Sequence, residues 1–326
     1  MNVQMHDVSA DEEGLRLDRL LRRHRPGLTQ GIIERLCRTG QVRIDGRRVI
    51  SSTRVLAGQS VRIPPIHEID AKPRHKTMPE AGAMRDLVAR ILYQDDDVIV
   101  LDKPAGLATQ GGKGIALHLD GMLDALKFEA RERPRLVHRL DRGTSGALVL
   151  ARSAFAAAAL AKAFRGRDTL KIYWALVVGL PVPLEGQIDL DLVRIGGSSG
   201  ARTKPVPKGH QDAAHAITNY RTLDHAGRKF AWLELEPLTG RTHQLRAHCA
   251  AMGTPILGDS PYAGALAHAE GFARQLHLHA RRLELPHPRG GVLIVEADLP
   301  PHLRASLAAL GFTVPRAAAP EYRLRN

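Results

Sequence analysis

Aromatic side chains are scarce, with Trp, Tyr and Phe together 4% of the 326 residues. Proteins that grip extended single-stranded nucleic acid stack successive bases on aromatic platforms; this chain has too few for that. Cysteine is scarcer still. Cys37 and Cys249 stand far apart with no C-x-x-C pair, which excludes a disulfide framework and a cysteine zinc site and fits a reducing cytoplasm. Long apolar runs are also missing: the most apolar stretch, 154–164, is short and contains Lys162, well below a membrane span. The first fourteen residues, MNVQMHDVSADEEG, carry four acids and no apolar core, so neither a signal peptide nor a transit peptide is read there. A soluble, cytoplasmic protein is expected. No G-x-G-x-x-G or G-x-x-x-x-G-K-[ST] element occurs, so no nucleotide cofactor is expected.

What is abundant is arginine. The net charge is +13 and the isoelectric point about 10.2. A surplus of this size favours a polyanionic partner, although a general preference for Arg and Ala would also raise it. Its distribution is more telling. Residues 14–66 hold twelve arginines against Asp18, Glu34 and Asp45, a net +9. A solvated charged face is normally mixed in sign, and this one is not.

The same segment has a clear element pattern. Leu17, Leu20 and Leu21 fall on one side of a helix, Pro26-Gly27 breaks it, and Thr29 opens a second helix with Ile32, Ile33 and Leu36 inward and a stop at Gly40. Strands 41–44 and 47–50 are joined by Asp45-Gly46, a strong hairpin dipeptide. A last strand, 60–63, ends at Pro64-Pro65. Through RLDRLLRRHRPGLTQGIIERLCRTGQVRIDGRRV and the VRIPP ending, this segment resembles the S4 (α-L) RNA-binding module. The resemblance implies folded RNA as partner, with Arg16, Arg19, Arg35, Arg38, Arg43, Arg47 and Arg48 as contact residues. The ligand class follows from it, and the reaction does not.

Residues 67–85 are polar and aperiodic, and Pro73 and Pro79 argue against a continuous helix, so a linker is expected there. Beyond it, short β-rich runs (98–101, 147–151, 171–178, 230–235, 276–278) alternate with a few helices: one capped by Ser153 and reaching Phe164, another over Thr242–Met252. Residues 195–210 read as a Gly/Ser/Pro-rich basic loop and 314–326 as a weakly ordered tail. The fold class is therefore α+β, with a mixed, mainly antiparallel sheet over 86–313.

Within that domain, Asp141 lies between Arg139 and Arg142 in a Gly-rich turn that enters the apolar run ALVLA. Such a carboxylate is held rigidly yet stays accessible; a turn-capping Asp in a structural salt bridge is an equal reading of LDRGTSG alone. The wider context resembles the RluA family of pseudouridine synthases. HRLDRGTSG (138–146) matches its signature, followed in order by KIYWALVVG (171–179) and LTGRTHQLRAH (238–248) continuing to GTPILGD, with VLDKPAGLATQGG (100–112) upstream.

That resemblance implies roles. Asp141 would attack the ribose or base, or deprotonate the sugar; either route needs the ionised carboxylate. Arg246 would pair with it and keep it charged where desolvation would otherwise protonate it. Tyr173 would stack on the target base, a role its strand position alone does not distinguish from a core aromatic. Arg139 would enter the RNA stack where the uridine left, offsetting part of the unstacking cost. Leu245 would wall the uracil, and Arg241, at the helix start, would meet phosphate. His243 and Arg246 are expected one turn apart on the same helix. His243, His248 and Cys249 lack the carboxylate or second cysteine of a zinc site, so no metal is read. His277 and His279 are read as structural.

The order of S4 module, linker and HRLDRxTSG domain resembles the large-subunit ribosomal RNA branches of the family, with VRIPP and the GGKG loop (111–114) closer to the C-type than to the D-type. A monomer acting on that RNA is expected. Two other classes compete with this one: an inactive S4-containing assembly factor, against which Asp141, Tyr173 and Arg246 are all retained, and a glycosidase using Asp141 and Asp259, which lacks sugar-stacking aromatics.

Overall fold

The computed structural model describes residues 3–25, 28, 30–65, 81–112, 114–166, 168–196 and 202–323. Two compact units are present, Met1–Lys76 and Thr77–Asn326.

In the first unit, strand β1 (Gln4–Asp7) precedes helices α1 (Leu17–His24) and α2 (Gln30–Arg38), followed by β2 (Arg43–Ile44), β3 (Arg47–Arg48) and β4 (Ser60–Ile63). The sheet order is β1-β4-β2-β3. Leu17, Leu20 and Leu21 are fully buried with Ile33, Val42, Val55 and Val61 in one apolar core. At the hairpin tip Asp45 and Gly46 both adopt positive φ, 48° and 77°, the pairing a two-residue type I′ turn demands. Thr29, read as the opener of α2, lies outside the described residues. The unit begins earlier than the pattern indicated: β1 pairs antiparallel with β4 from Gln4↔Ile63 to Asp7↔Ser60. Its sequence, QMHD, has no apolar alternation because it is an exposed edge strand.

The second unit runs α3 (Ala81–Val88), β5 (Ile91–Gln94), β6 (Val98–Lys103), α4 (Leu119–Met122), β7 (Arg135–Leu136), β8 (Ser145–Ala151), α5 (Ala154–Gly166), β9 (Leu170–Val178), β10 (Glu185–Ile195), β11 (Arg202–Val206), β12 (Ala214–Ala226), β13 (Phe230–Pro237), α6 (Gln244–Ala251), α7 (Ser260–Ala263), β14 (Leu278–Pro286), β15 (Val292–Glu296), α8 (Pro301–Ala309) and β16 (Glu321–Arg323). The sheet follows the order β11-β10-β12-β13-β9-β14-β8-β6-β5, with β15 on β14, β16 on β15 and β7 on β8. Only β8 and β14 pair in parallel among its described strands.

Strand β8 shows why the run after the Gly-rich turn is unbroken apolar. All seven of its residues are buried. Ala147, Val149 and Ala151 pack with α5 and β15, while Leu148 and Leu150 pack on the other face with Leu119, Met122, Leu123 and Leu140. A strand covered on both sides cannot alternate. Gly146 opens it with φ 107°, and a Cβ there would lie 2.3 Å from the Ala280 carbonyl oxygen of β14. Only glycine lets the two strands approach at that point.

Three expectations need correction. Residues 81–85, placed in the linker, belong to α3, whose Leu87 is buried in the core beside Leu123 and Leu126; the remainder of that linker lies outside the described residues. Part of the basic loop, Arg202–Val206, is a strand paired with β10. In the tail, Glu321–Arg323 pairs with β15. Each of these segments has too few apolar residues to show a period; α3 and the tail strand are ordered by neighbours remote in sequence, and Arg202–Val206 by the strand just before it. The strand expected at 276–278 starts at Leu278 and continues to Pro286.

Three histidines of this unit are fully buried: His248 against Thr218 Oγ1 (3.0 Å), His277 against Ser306 Oγ (2.8 Å) and His279 against Ser145 Oγ (2.9 Å). Burial pushes each imidazole down to about 4. An unfolded chain takes up these protons near pH 6.5, so it binds more protons than the folded one between about pH 6.5 and 4. Stability contributed by these neutral rings is complete above that window and falls through it, by up to about 1.4 kcal/mol per pH unit for each proton. Thermal melting midpoints measured from about pH 7.5 to 4.5 are expected to drop steadily below pH 6.5. A flat profile contradicts this account.

Candidate active site

The loop carrying Asp141 is fastened from beneath by residues 103–109. Thr109 Oγ1 donates to the Leu140 carbonyl (2.6 Å) and accepts from the Leu140 N–H (3.2 Å). Gly106 N–H donates to the Arg142 carbonyl (2.8 Å), and Arg142 Nε donates back to the Gly106 carbonyl (3.0 Å). Lys103, wholly buried, donates from Nζ to the carbonyls of Pro104 (2.9 Å), Leu107 (2.8 Å) and Arg142 (3.5 Å). Burial pushes its ammonium down to about 7, against the pull of Asp141 and Asp102. The VLDKPAGLATQGG stretch is therefore the platform on which the HRLDRGTSG turn rests. His138, the first residue of that turn's motif, ties it to β8: its Nε2 accepts from the Val149 N–H (2.9 Å) and its ring stacks on Phe164. Burial pushes it down to about 3, which keeps Nε2 free to accept.

Above the platform, a cleft of about 540 Å³ is lined by Arg139, Asp141, Tyr173, Arg241, Leu245 and Arg246, with His243 and Lys171 beside them. All six residues assigned to this domain from sequence thus meet at one place. The Asp141 side chain is 18% exposed, and its Oδ2 lies 3.5 Å from Arg246 Nη1 and 3.7 Å from His243 Nε2.

Arg246 is not held by Asp141 alone. Its firm partner is the fully buried Asp259, bound side-on through Nε–Oδ2 (2.8 Å) and Nη2–Oδ1 (2.7 Å). This fork geometry fixes the guanidinium plane and leaves Nη1 for Asp141. The Tyr262 ring lies 4.8 Å from the guanidinium carbon. Burial works against the charge on Arg246, but Asp259 and Asp141 overcome it and raise the group above its ordinary value.

His243 departs from the expected helix. It takes φ 55°, ψ 21° as the residue before α6, so it does not stand one helical turn from Arg246. The helix starts late because the buried side chain of Gln244 folds back: its Oε1 accepts from the Arg241 N–H (3.0 Å) and Thr239 Oγ1 (2.7 Å), and its Nε2 donates to the Ile217 carbonyl (2.9 Å). The turn is secured from β11 as well, where Thr203 Oγ1 donates to the Thr242 carbonyl (2.8 Å) and its N–H donates to Tyr262 Oη (2.8 Å). Tyr262 Oη sits 3.0 Å from His243 Nδ1. Tyr262 Oη thus stands between the Thr203 N–H and His243 Nδ1, and it holds the ring with Nε2 toward Asp141. Arg241 Nε donates to the His215 carbonyl (3.0 Å) while the residue stays exposed.

Tyr173, on β9, has its phenol pushed up by burial and by Asp141, so it enters any reaction at neutral pH protonated. Sequence reasoning assigns no part in the site to Tyr262 or Lys103, none to Asp259 beside Arg246, and does not foresee the loop position of His243. Asp259 closes the GTPILGD block, but nothing in that string reveals a contact with a residue 13 positions earlier across a helix and turn.

Asp141 beside Arg246, with the Tyr173 ring and the basic side chains of Arg139 and Arg241 around the same cleft, sets a carboxylate, an aromatic ring and several cations on one concave surface. Comparisons with known proteins give the class. Residues 97–251 match the model of the RNA pseudouridylate synthase family, and residues 15–61 match the S4 domain. The ribosomal large subunit pseudouridine synthase C of Rickettsia typhi is 35% identical over 87% of this chain and 94% of its own length. The protein of that name from Escherichia coli is 34% identical over 95% and 97%. Among solved structures, human RNA pseudouridylate synthase domain containing 4 superposes with TM-score 0.61 at 30% identity, over 72% of this chain and 98% of that one. The chain belongs to the RNA pseudouridine synthase family, with an S4 domain at its N-terminus.

Breaking a buried ion pair from one side costs about 3–5 kcal/mol. Asp259→Asn is expected to lower the melting temperature and to reduce kcat on RNA by tenfold or more, because Arg246 is then free to close on Asp141. Thermal melts and single-turnover kinetics check this; an unchanged kcat removes Asp259 from the machinery.

Proposed function

We propose that this chain converts specific uridines of large-subunit ribosomal RNA to pseudouridine, with Asp141 as the nucleophile or base. The observation that carries the reading is the convergence of Asp141, Arg246 and Tyr173 on one cleft in a chain whose C-type large-subunit relatives align over nearly their whole length. The isomerisation is redox-neutral. The C1′–N1 bond breaks, uracil turns, C5 joins C1′, and the C5 proton leaves while N1 gains one; no cofactor is required.

In this scheme the target uridine is flipped out of its helix into the cleft. Arg246, clamped by Asp259, sets its positive charge 3.5 Å from the Asp141 carboxyl oxygen. Tyr173 lies against the base, Leu245 walls it, and Arg139 on the rim occupies the gap left in the RNA. Arg241 stays exposed to meet phosphate. Within the S4 unit, Arg16 bonds the buried Asp18 (2.7 Å), and Arg43 bonds the carbonyls of Gly40 and Gly46 (both 3.0 Å). These two act mainly by shaping the unit. Arg19, Arg35, Arg38, Arg47 and Arg48 are exposed, with Arg48 against Gly40 just past the end of α2, near Arg38; they are the phosphate contacts of this reading. The protein works as a cytoplasmic monomer.

Ribosomal RNA from cells lacking the gene is expected to lose discrete pseudouridines, which carbodiimide mapping detects, and to regain them with the wild-type chain but not with Asp141→Asn. Restoration by Asp141→Asn would remove Asp141 from its role. Changing Arg19, Arg35, Arg38 and Arg48 to Glu is expected to weaken RNA binding and to flatten its salt dependence, by about one unit of log–log slope for each phosphate no longer neutralised. Binding titrations at several salt concentrations read this directly; equal slopes for both proteins contradict it.

A further inference from the structure

The S4 unit contains a cluster of titratable side chains apart from the arginines named above as phosphate contacts. Glu12 sits in a short turn after β1, and its side chain is only 4% exposed. Two imidazoles converge on its carboxylate: His6 Nε2 from β1 at 2.7 Å from Oε2, and His24 Nε2 from the last residue of α1 at 2.9 Å from Oε1. The rings stand 4.0 Å apart at 47°. All three ligand atoms lie within 4.8 Å of one another. Among the described residues, the guanidinium near this carboxylate is that of Arg23, whose Nη1 is 4.0 Å from Oε1 and whose shorter contact is to the exposed Asp11 (3.1 Å).

A buried carboxylate is normally matched by a lysine or arginine in direct contact. Here its direct side-chain partners are two imidazoles, one from each flanking element. We propose that His6, Glu12 and His24 form a zinc site, with the charge of the buried carboxylate met by the metal. Two imidazole nitrogens and a carboxylate oxygen are a zinc donor set, and metal bonds of 2.0–2.2 Å need ligand atoms roughly 3–3.5 Å apart. The two nitrogens stand 2.7 and 2.9 Å from the two oxygens of one carboxylate, so the three side chains already converge on one place, and a bound ion would draw the donors to its own spacing. The carboxylate is oriented in advance, because Oε2 also accepts from the Ser9 N–H (3.3 Å). His6 and His24 remain 18% and 27% exposed, which gives the ion an entry path and leaves room for water as fourth ligand.

The ligands come from three successive elements, so a bound ion would lock β1 to the end of α1. Spacing in the chain does not disclose the site: the intervals between ligands match no helical or strand period, unlike the His-x4-His-Cys of 243–249 that sequence invites one to consider. Nothing in the catalytic cleft is involved, and the site does not depend on the proposed substrate.

The test uses the full-length, tag-free protein stripped with a chelator. Equilibrium dialysis and calorimetric titration with zinc chloride are expected to show one ion per chain at micromolar or lower dissociation constant. The double variant His6→Gln, His24→Gln is expected to bind at least tenfold more weakly, with circular dichroism reporting whether it folds. X-ray absorption of the zinc-loaded wild-type protein keeps the question decidable if that variant unfolds: two imidazoles and light oxygen ligands are expected. No uptake at micromolar zinc, undiminished uptake by a folded double variant, or sulfur in the coordination shell each overturns the proposal.

Discussion

The buried pair of Arg246 and Asp259 is the interaction around which the catalytic unit is arranged. Two parallel bonds leave the guanidinium no freedom of plane, and its third nitrogen can then point only where Asp141 waits. Without Asp259, the arginine and Asp141 would satisfy each other directly, and a carboxylate tied up in a close side-on pair has less freedom to meet a ribose. Holding the partner at 3.5 Å rather than at bonding distance supplies positive potential and still leaves the oxygen available. The cost is a second buried carboxylate, which Arg246 itself compensates.

The neutral histidine at the same site adds a second layer of control. Thr203 on β11 fixes Tyr262, Tyr262 holds the His243 ring, and His243 turns Nε2 toward the oxygen that also faces Arg246. A strand hidden in what the sequence offers as a connector loop is thus part of the support for the reacting carboxylate. Segments that carry little apolar pattern are not thereby idle.

How much of this was legible in advance follows from where the information resides. The Asp45-Gly46 turn, the leucine face of α1 and the fully apolar β8 are local patterns, and all were readable. The motif residues Asp141, Tyr173 and Arg246 were recognisable as a set because three blocks appear in order, and the structure places them in one cleft. Features set by distant partners were not legible. These include α3, whose Leu87 inserts into a remote core; the strand of the tail, which exists only because β15 offers an edge; and the left-handed backbone of His243, imposed by Gln244 folding back on the preceding turn. The role of Asp259 belongs to the same class, since only the folded path past α6 brings it to Arg246. The surplus of arginine was legible in amount but not in use: Arg16 and Arg43 serve their own unit.

The close approach of Gly146 to Ala280 has a consequence for the order of events during synthesis. The turn bearing Asp141 feeds a strand whose parallel neighbour, β14, lies more than 130 residues further along the chain, and parallel pairing of that span is slow because a long loop must close first. Until β14 has left the ribosome, β8 lacks that neighbour, and the catalytic turn has its platform but not its final anchor. The enzyme therefore cannot acquire a formed active site while it is being translated past its middle; reactivity arrives late, with the last third of the polypeptide, after the arginine-rich N-terminal unit has long been free to engage RNA.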